Sequence, residues 1–159
     1  MATSIRAATL DDLPTLLSFE QGIVVAERPF DPTLRPGEIH YYDLAALIRD
    51  PETHVVVAED AGRIVGSGYA QLRTSEAYVQ HERHAFLGFM YVVPEARGTG
   101  INGMVVEALA MWAQGRGVSE LVLEVYAANA RAVRAYEKVG FSPRLLEMRL
   151  GTARSRDPA

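Results

Sequence analysis

The stretch RGTGINGM, Arg97 to Met104, decides how this chain is read. It holds a complete G-x-G-x-x-G at Gly98, Gly100 and Gly103, after the apolar run HAFLGFMYVV and before the helical pattern MVVEALAMWAQ. A strand, a glycine loop and a helix in that order make an anion site. The first backbone N–H groups of the helix point at a ligand, the helix dipole favours negative charge, and glycine lets the backbone approach a phosphate without a Cβ in the way. Context excludes two familiar owners of such a loop. A dinucleotide fingerprint puts its first glycine at the strand end, in a βαβ unit; here Pro94 to Arg97 intervene and a hairpin comes first. A Walker loop needs Lys-Ser/Thr after its last glycine, and Met104 stands there.

Working outward, SIRAAT reads as a first strand, and Thr9 and Asp12 carry capping-box spacing before Leu13, Leu16, Leu17 and Glu20 at helical period. The stretch AERPFDPTLRPGEIHYYD, with three prolines, reads as a long irregular loop of the kind that forms lids and binding segments. DLAALIRD reads as a short helix stopped by Pro51, and HVVVAEDAGRIVGSGYAQLR as a hairpin around Asp60-Ala61-Gly62. The apolar run before the glycines belongs in the interior of the sheet. The helix after them is closed by Gly115 or Gly117, with Asn102 available as its N-cap. ELVLEVY reads as a strand, NARAVRAYEKV as a helix from an Asn129 N-cap to Gly140, and RLLEMRL as a last strand. The expected order is β-α-α-β-β-β-α-β-α-β: an α/β fold in which helices flank a mixed sheet.

Composition narrows the function. A chain of 159 residues, 48% apolar and without an internal linker, suits one domain, expected over 1–150 with a disordered tail at 151–159. A net charge of −4 argues against sequence-independent nucleic-acid binding. The absence of cysteine removes thiolate metal sites and any cysteinyl intermediate, and fits a cytoplasmic setting. No signal peptide and no membrane-spanning run is expected. His81 and His84 in HERH lack a third ligand motif, so no metal is expected.

MYVVPEARGTGINGMVVEAL resembles the acyl-CoA motif of the GNAT acetyltransferase superfamily: an apolar strand, Val-x-Pro, then Arg-x-x-Gly-x-Gly/Ala entering a helix. NARAVRAYEKVGF resembles the second motif of that family, Asn-x-x-Ala-x-x-x-Tyr-x-x-x-Gly-Phe. Both occur in the family's order, and IRAATLDDLPTLL is similar to its usual start. One position departs, Asn102 standing where the family has Gly or Ala.

The resemblance implies a mostly antiparallel twisted sheet whose middle strands splay to admit the pantetheine arm of acetyl-CoA. It implies that the backbone of Met90, Tyr91 and Val92 pairs with that arm, that Arg97, Gly98, Thr99, Gly100, Ile101, Asn102 and Gly103 hold the pyrophosphate, and that Asn129 contacts the CoA arm. Tyr136 falls at the family's general-acid position. Glu124, in LEVYAAN, matches the base of the ribosomal-protein N-terminal branch, with His84 a second candidate. Tyr41 and Tyr42 fall where the family's acceptor pocket forms. The expected activity is acetyl transfer to a primary amine, on a small amine or amino acid, by direct attack in a ternary complex. A protein N-terminal or lysyl acetyltransferase and a non-catalytic CoA-binding sensor stand as alternatives. Dimerisation is common in the family, and nothing in the sequence decides it.

Overall fold

The computed structural model describes residues 2–153, and the expected tail beyond 153 lies outside them. The first strand, β1 (Ser4–Ala7), leads into a 3-10 turn at Leu10–Asp12 and helix α1 (Leu13–Glu27). The Thr9–Asp12 spacing closes this entry, since the Thr9 N–H donates to Asp12 Oδ2 at 2.8 Å. Asp12 also takes two hydrogen bonds from Arg6, which tie the strand to the helix start. Helix α1 runs two residues into the expected loop, to Glu27. It ends at a 3-10 turn, Arg28–Phe30, whose Pro29 breaks the ladder. Irregular chain follows to α2 (Leu44–Arg49), which Asp43 caps by accepting from the Ala46 N–H.

The hairpin forms as expected from β2 (Thr53–Asp60) and β3 (Arg63–Thr74). Its two-residue loop has φ of +51° at Ala61 and +76° at Gly62, the twist-compatible geometry for such a connection. After β4 (Arg83–Val92) the chain enters α3 (Ile101–Gly115), β5 (Leu121–Leu123) and α4 (Ala130–Lys138). The five strands lie in the order β1-β2-β3-β4-β5, with every pair antiparallel except β4 and β5. Helix α1 packs on one face of the sheet, against Tyr91, and α3 on the other, where Val105 and Leu109 crowd Gly68. The core between these layers includes Leu16, Val57, Leu87, Phe89 and Leu109.

Three local expectations are corrected. Helix α3 begins three residues earlier than its apolar pattern, because Gly100 in the left-handed region (φ +87°) serves as N-cap; Asn102 lies inside the first turn instead of capping it. The β5 ladder covers only Leu121–Leu123 of the expected ELVLEVY. The last strand does not form. Residues 144–150 make no ladder, and Leu145, Leu146, Met148 and Leu150 are exposed. Apolar alternation suits a strand, but a strand also needs an edge that its own backbone groups can pair with.

Candidate active site

The cleft begins where the parallel pairing stops. β5 meets β4 only at Ala85, Phe86 and Leu87, opposite Leu121, Val122 and Leu123. Beyond Leu87 the strands part. Gly88–Val92 runs on with β3 on one side and, among the described residues, no strand on the other.

A bulge marks the same point. Ser67 faces Tyr91 and Tyr69 faces Gly88, so Phe89 and Met90 together oppose Gly68. Phe89 has φ of +55°, which a bulky residue adopts only under constraint. The constraint is visible: the Ser67 hydroxyl donates to the Phe89 carbonyl at 3.0 Å, and the Phe89 N–H donates to Tyr42 Oη at 3.3 Å. Glycine is required opposite. A Cβ at Gly68 would lie 2.7 Å from Met90 Sδ, and one at Gly88 would strike the Tyr69 hydroxyl.

Of the expected backbone contacts, Tyr91 lays its ring on α1, with a Phe19 centroid 4.8 Å away and no room for a side chain at Gly22. The Val92 carbonyl accepts from Arg97 Nε at 3.0 Å. Arg97 is exposed, so its side chain is available to a ligand at little cost.

The glycine loop closes one end of the cleft. Gly98 and Gly100 take φ of +76° and +87°, and a Cβ on either would meet nothing within 4 Å. Backbone and open space therefore adjoin there, as a phosphate requires. The first turn of α3 adds donors: its ladder starts with the Met104 N–H on the Gly100 carbonyl at 3.2 Å, so the N–H groups of Ile101, Asn102 and Gly103 precede it. Thr99 is exposed, its hydroxyl on the Ala96 carbonyl at 2.5 Å. A Cβ at Gly103 would make only ordinary contact with Val139 at the end of α4, at 3.5 Å. The residues present fit a pyrophosphate, with two glycines in left-handed torsion beside the free N–H groups.

The C-terminal wall carries Asn129, whose Oδ1 accepts from the Ala132 N–H at 3.2 Å and caps α4. Its amide NH2 remains to donate. About two turns further along α4 comes Tyr136, partly buried and set edge-on to Phe141 with ring centroids 5.8 Å apart. Burial, reinforced by the charge of Glu27, pushes its phenol up to about 12. Glu27 ends α1, so the last turn of α1 and helix α4 come within electrostatic reach of each other. Glu124 lies just past the last β4–β5 pair, exposed, its charge felt by Tyr69.

The expected acceptor side is held from within. Glu20, fully buried on α1, accepts the N–H groups of Tyr41 and Tyr42 on Oε2, both at 2.9 Å, and pairs with His40 Nδ1 on Oε1 at 2.9 Å. This fixes Tyr41 and Tyr42 on an open groove of about 440 Å³ that Tyr69, Gln71 and Arg73 also line. Tyr42 stacks edge-on against both Tyr69 and Phe89, so it joins the groove to the bulge. His84 is not gathered with Tyr136. It faces Arg73 in the ladder, four residues beyond the Tyr69–Gly88 pair, and shares a hydrogen bond with Ser75 at 2.9 Å. His81 and His84 come edge-on at 6.5 Å, and no group of three or more candidate metal ligands gathers among the described residues.

Sequence reasoning missed Glu20 as the loop's anchor, Glu27, Tyr69, the bulge at Phe89, and Tyr126, which donates to Asp31 Oδ2 at 2.9 Å. The helical period that placed Glu20 on the inner face of α1 was the available signal. The bulge had none, since it arises from pairing between strands.

Known proteins agree with this architecture. Residues 19–141 match the model of the acetyltransferase (GNAT) family. An IAA acetyltransferase of Azospirillum brasilense is 33% identical over 112 residues, 70% of this chain and 69% of that protein. An aminoglycoside N(6')-acetyltransferase type 1 of Klebsiella aerogenes is 27% identical over 99 residues, 62% of this chain and 65% of that protein. The match to a mycothiol acetyltransferase of an Arthrobacter species spans only 33% of that longer relative. Among solved structures, a "predicted acetyltransferase" from Clostridium acetobutylicum, determined with acetyl-CoA, shares the fold at a TM-score of 0.69 and 18% identity, covering 94% of this chain and 96% of its own. The splayed sheet, the glycine loop and the family match lead to one assignment: the chain belongs to the GNAT acetyltransferase family, whose members use acetyl-CoA.

Proposed function

We propose that the chain is an N-acetyltransferase that moves the acetyl group of acetyl-CoA to a primary amine of a small molecule, by direct attack in a ternary complex. The observation that carries this reading is Tyr136 on α4, a phenol that burial holds protonated well above neutral pH, in a chain whose β4 backbone is left open beyond Leu87. Absence of cysteine removes a cysteinyl acetyl-enzyme and favours a single transfer step. Acceptors named for relatives, an aminoglycoside among them, support a small amine.

In this reading the pyrophosphate lies on residues 97–103, and Asn129 donates to the CoA arm. The arm runs along Met90 to Val92, with a backbone N–H there directed at the thioester oxygen as charge develops. An alkyl ammonium of ordinary pKa, about 10.4, must lose its proton before it attacks. Glu124, at the point where the strands part, takes that proton. The amine nitrogen bonds to the carbonyl carbon, the C–S bond breaks, and Tyr136 gives its proton to the departing thiolate. The phenolate recovers a proton from the newly acylated nitrogen.

CoA release from acetyl-CoA across amines, amino acids and peptides, beside Tyr136→Phe, tests the reading. We expect an acceptor-dependent signal whose kcat falls about 10²- to 10⁴-fold in the variant, with acetyl-CoA affinity unchanged. Tight acetyl-CoA binding with no turnover on any acceptor would instead favour a CoA-binding sensor. Turnover on peptides alone would favour a protein acetyltransferase.

A further inference from the structure

Glu27 is a carboxylate without a cation. Glu20, Ile23 and Glu27 fall on one stripe of α1 at spacings of three and four, and the first two are buried against the sheet. The stripe therefore carries the half-buried Glu27 inward at the helix end. Among the described residues no Lys, Arg or His pairs with it: Arg28, next in sequence, spends its guanidinium on the carbonyls of Arg35 and Gly37.

Beside Glu27 stands the buried Tyr41 hydroxyl, which faces that carboxylate and bonds to nothing else among the described residues. Of the other groups within electrostatic reach, the Tyr136 phenol brings no positive charge, and three more are engaged. Tyr126 is bonded to Asp31, Asp31 also takes the N–H and hydroxyl of Thr33, and the Tyr42 hydroxyl accepts from Phe89. Among the described residues the Glu27 carboxylate is left with the Tyr41 proton as its one side-chain donor and with no cation. Burying a carboxylate in that state costs free energy, and the burial holds its pKa up. An alkyl ammonium supplies three N–H donors and the missing charge.

The donor substrate does not meet this need. Acetyl-CoA brings phosphates, which suit the N–H groups of the glycine loop and are repelled by a carboxylate. The cleft is polarised, with anion-binding backbone at one end and Glu27 at the other. Glu124, a second carboxylate without a salt bridge among the described residues, sits where the attacking amine must lose its proton.

We infer that Glu27 and Tyr41 seat a second, permanently protonated amino group of the acceptor, so that the enzyme selects small di- or polyamines over monoamines and amino acids. The inference rests on the transferase reading for its second half only; the seat is a binding site in its own right. Glu27 is then a specificity-determining residue: one nitrogen, beside Glu124, is deprotonated and acylated, while the other stays charged on Glu27.

Three probes of similar length differ only in the far group: 1,5-diaminopentane (cationic), n-pentylamine (neutral) and 6-aminohexanoate (anionic). Acetyl transfer to each is measured for the wild type, Glu27→Gln and Tyr41→Phe. Binding of each to the CoA-loaded protein is followed by calorimetry, and a melting curve checks that each variant folds. We expect kcat/KM to favour the diamine over pentylamine by about tenfold or more, with 6-aminohexanoate the poorest. Glu27→Gln should erase that ranking and leave the KM for acetyl-CoA unchanged, and Tyr41→Phe should narrow it. Equal use of diamine and pentylamine, or a ranking that survives in Glu27→Gln, overturns the seat and leaves the transferase reading standing. Glu27-dependent binding of the diamine without acetyl transfer keeps the seat and sinks the transferase reading. No binding and no transfer with any probe overturns the seat.

Discussion

The two walls of the cleft are built differently. Up to Val118 the chain supplies every fully buried residue among those described, and from Ser119 onward there is none. The first region has four long or paired strands between helices α1 and α3. The second has a three-residue strand, one short helix and an extended run of exposed leucines. The expected general acid and the Asn129 cap belong to the second region, while the bulge, the glycine loop and the acceptor tyrosines belong to the first. Stability and chemistry are thus divided across a seam. The rigid wall holds the fold, and the thinner wall lies where substrates must enter and products leave. Regions with little buried apolar surface open at low free energy.

The largest effects should come from the rigid wall. Leu109, with no exposed surface, fills the layer between α3 and β3, its Cδ1 just 3.5 Å from where a Cβ on Gly68 would sit. Leu109→Ala should cost about 2–5 kcal/mol, read by denaturant unfolding as a lower midpoint at unchanged slope. A loss below about 1 kcal/mol would mean that the core is not where stability resides.

Glu20→Ala comes next, because it strands the N–H groups of Tyr41 and Tyr42 inside the protein. A cost of about 2–4 kcal/mol is expected, together with a raised KM for the acceptor but not for acetyl-CoA. The pH dependence gives this an independent reading. His40 has its pKa raised chiefly by the hydrogen bond to Glu20. A raised folded pKa contributes stability that is present in full below the unfolded value, about 6.5, and is lost as pH rises through the folded one. Melting curves taken across that window should show this increment in the wild type, and Glu20→Gln should flatten it. An unchanged profile in Glu20→Gln would mean that His40 draws nothing from this contact.

The same division explains what could be read from sequence. Local chemistry was legible wherever a few adjacent residues decide the outcome: the Thr9–Asp12 entry, the Ala61-Gly62 turn, the Asn129 cap and the stop at Gly140 all form. The mixed sheet also followed from the succession of strands and helices, while the splay was implied by the family resemblance that the two motifs carry. What failed depends on partners distant in the chain. RLLEMRL has the alternation of a strand but pairs with none. The start of α3 depends on a glycine taking a left-handed torsion, where apolar periodicity carries no signal. Glu20 falls on the inner face of α1 by its period, but neither its partners nor the role of Glu27 can be read until the sheet and the following loop are packed beneath the helix. Tyr126 meets Asp31 across 95 positions, a pairing that no local pattern encodes.

The smallest effect should come from that last contact, and it bears most directly on the seam. Tyr126 stacks near Phe30, with ring centroids 6.4 Å apart, and donates its hydroxyl to Asp31. Together with the hydrogen bond from Arg149 to Thr33 it ties the thin wall to the turn after α1. Tyr126→Phe keeps the ring and removes one hydrogen bond. If the walls are separate cooperative units, the global Tm should move by less than about 3 °C, while amide exchange quickens in residues 121–140 alone and acetyl-CoA slows it again. A larger fall in Tm, or faster exchange spreading into β2 and β3, would join the two walls into one unit. The tyrosine would then hold the whole domain, and the thin wall could not open without unfolding it.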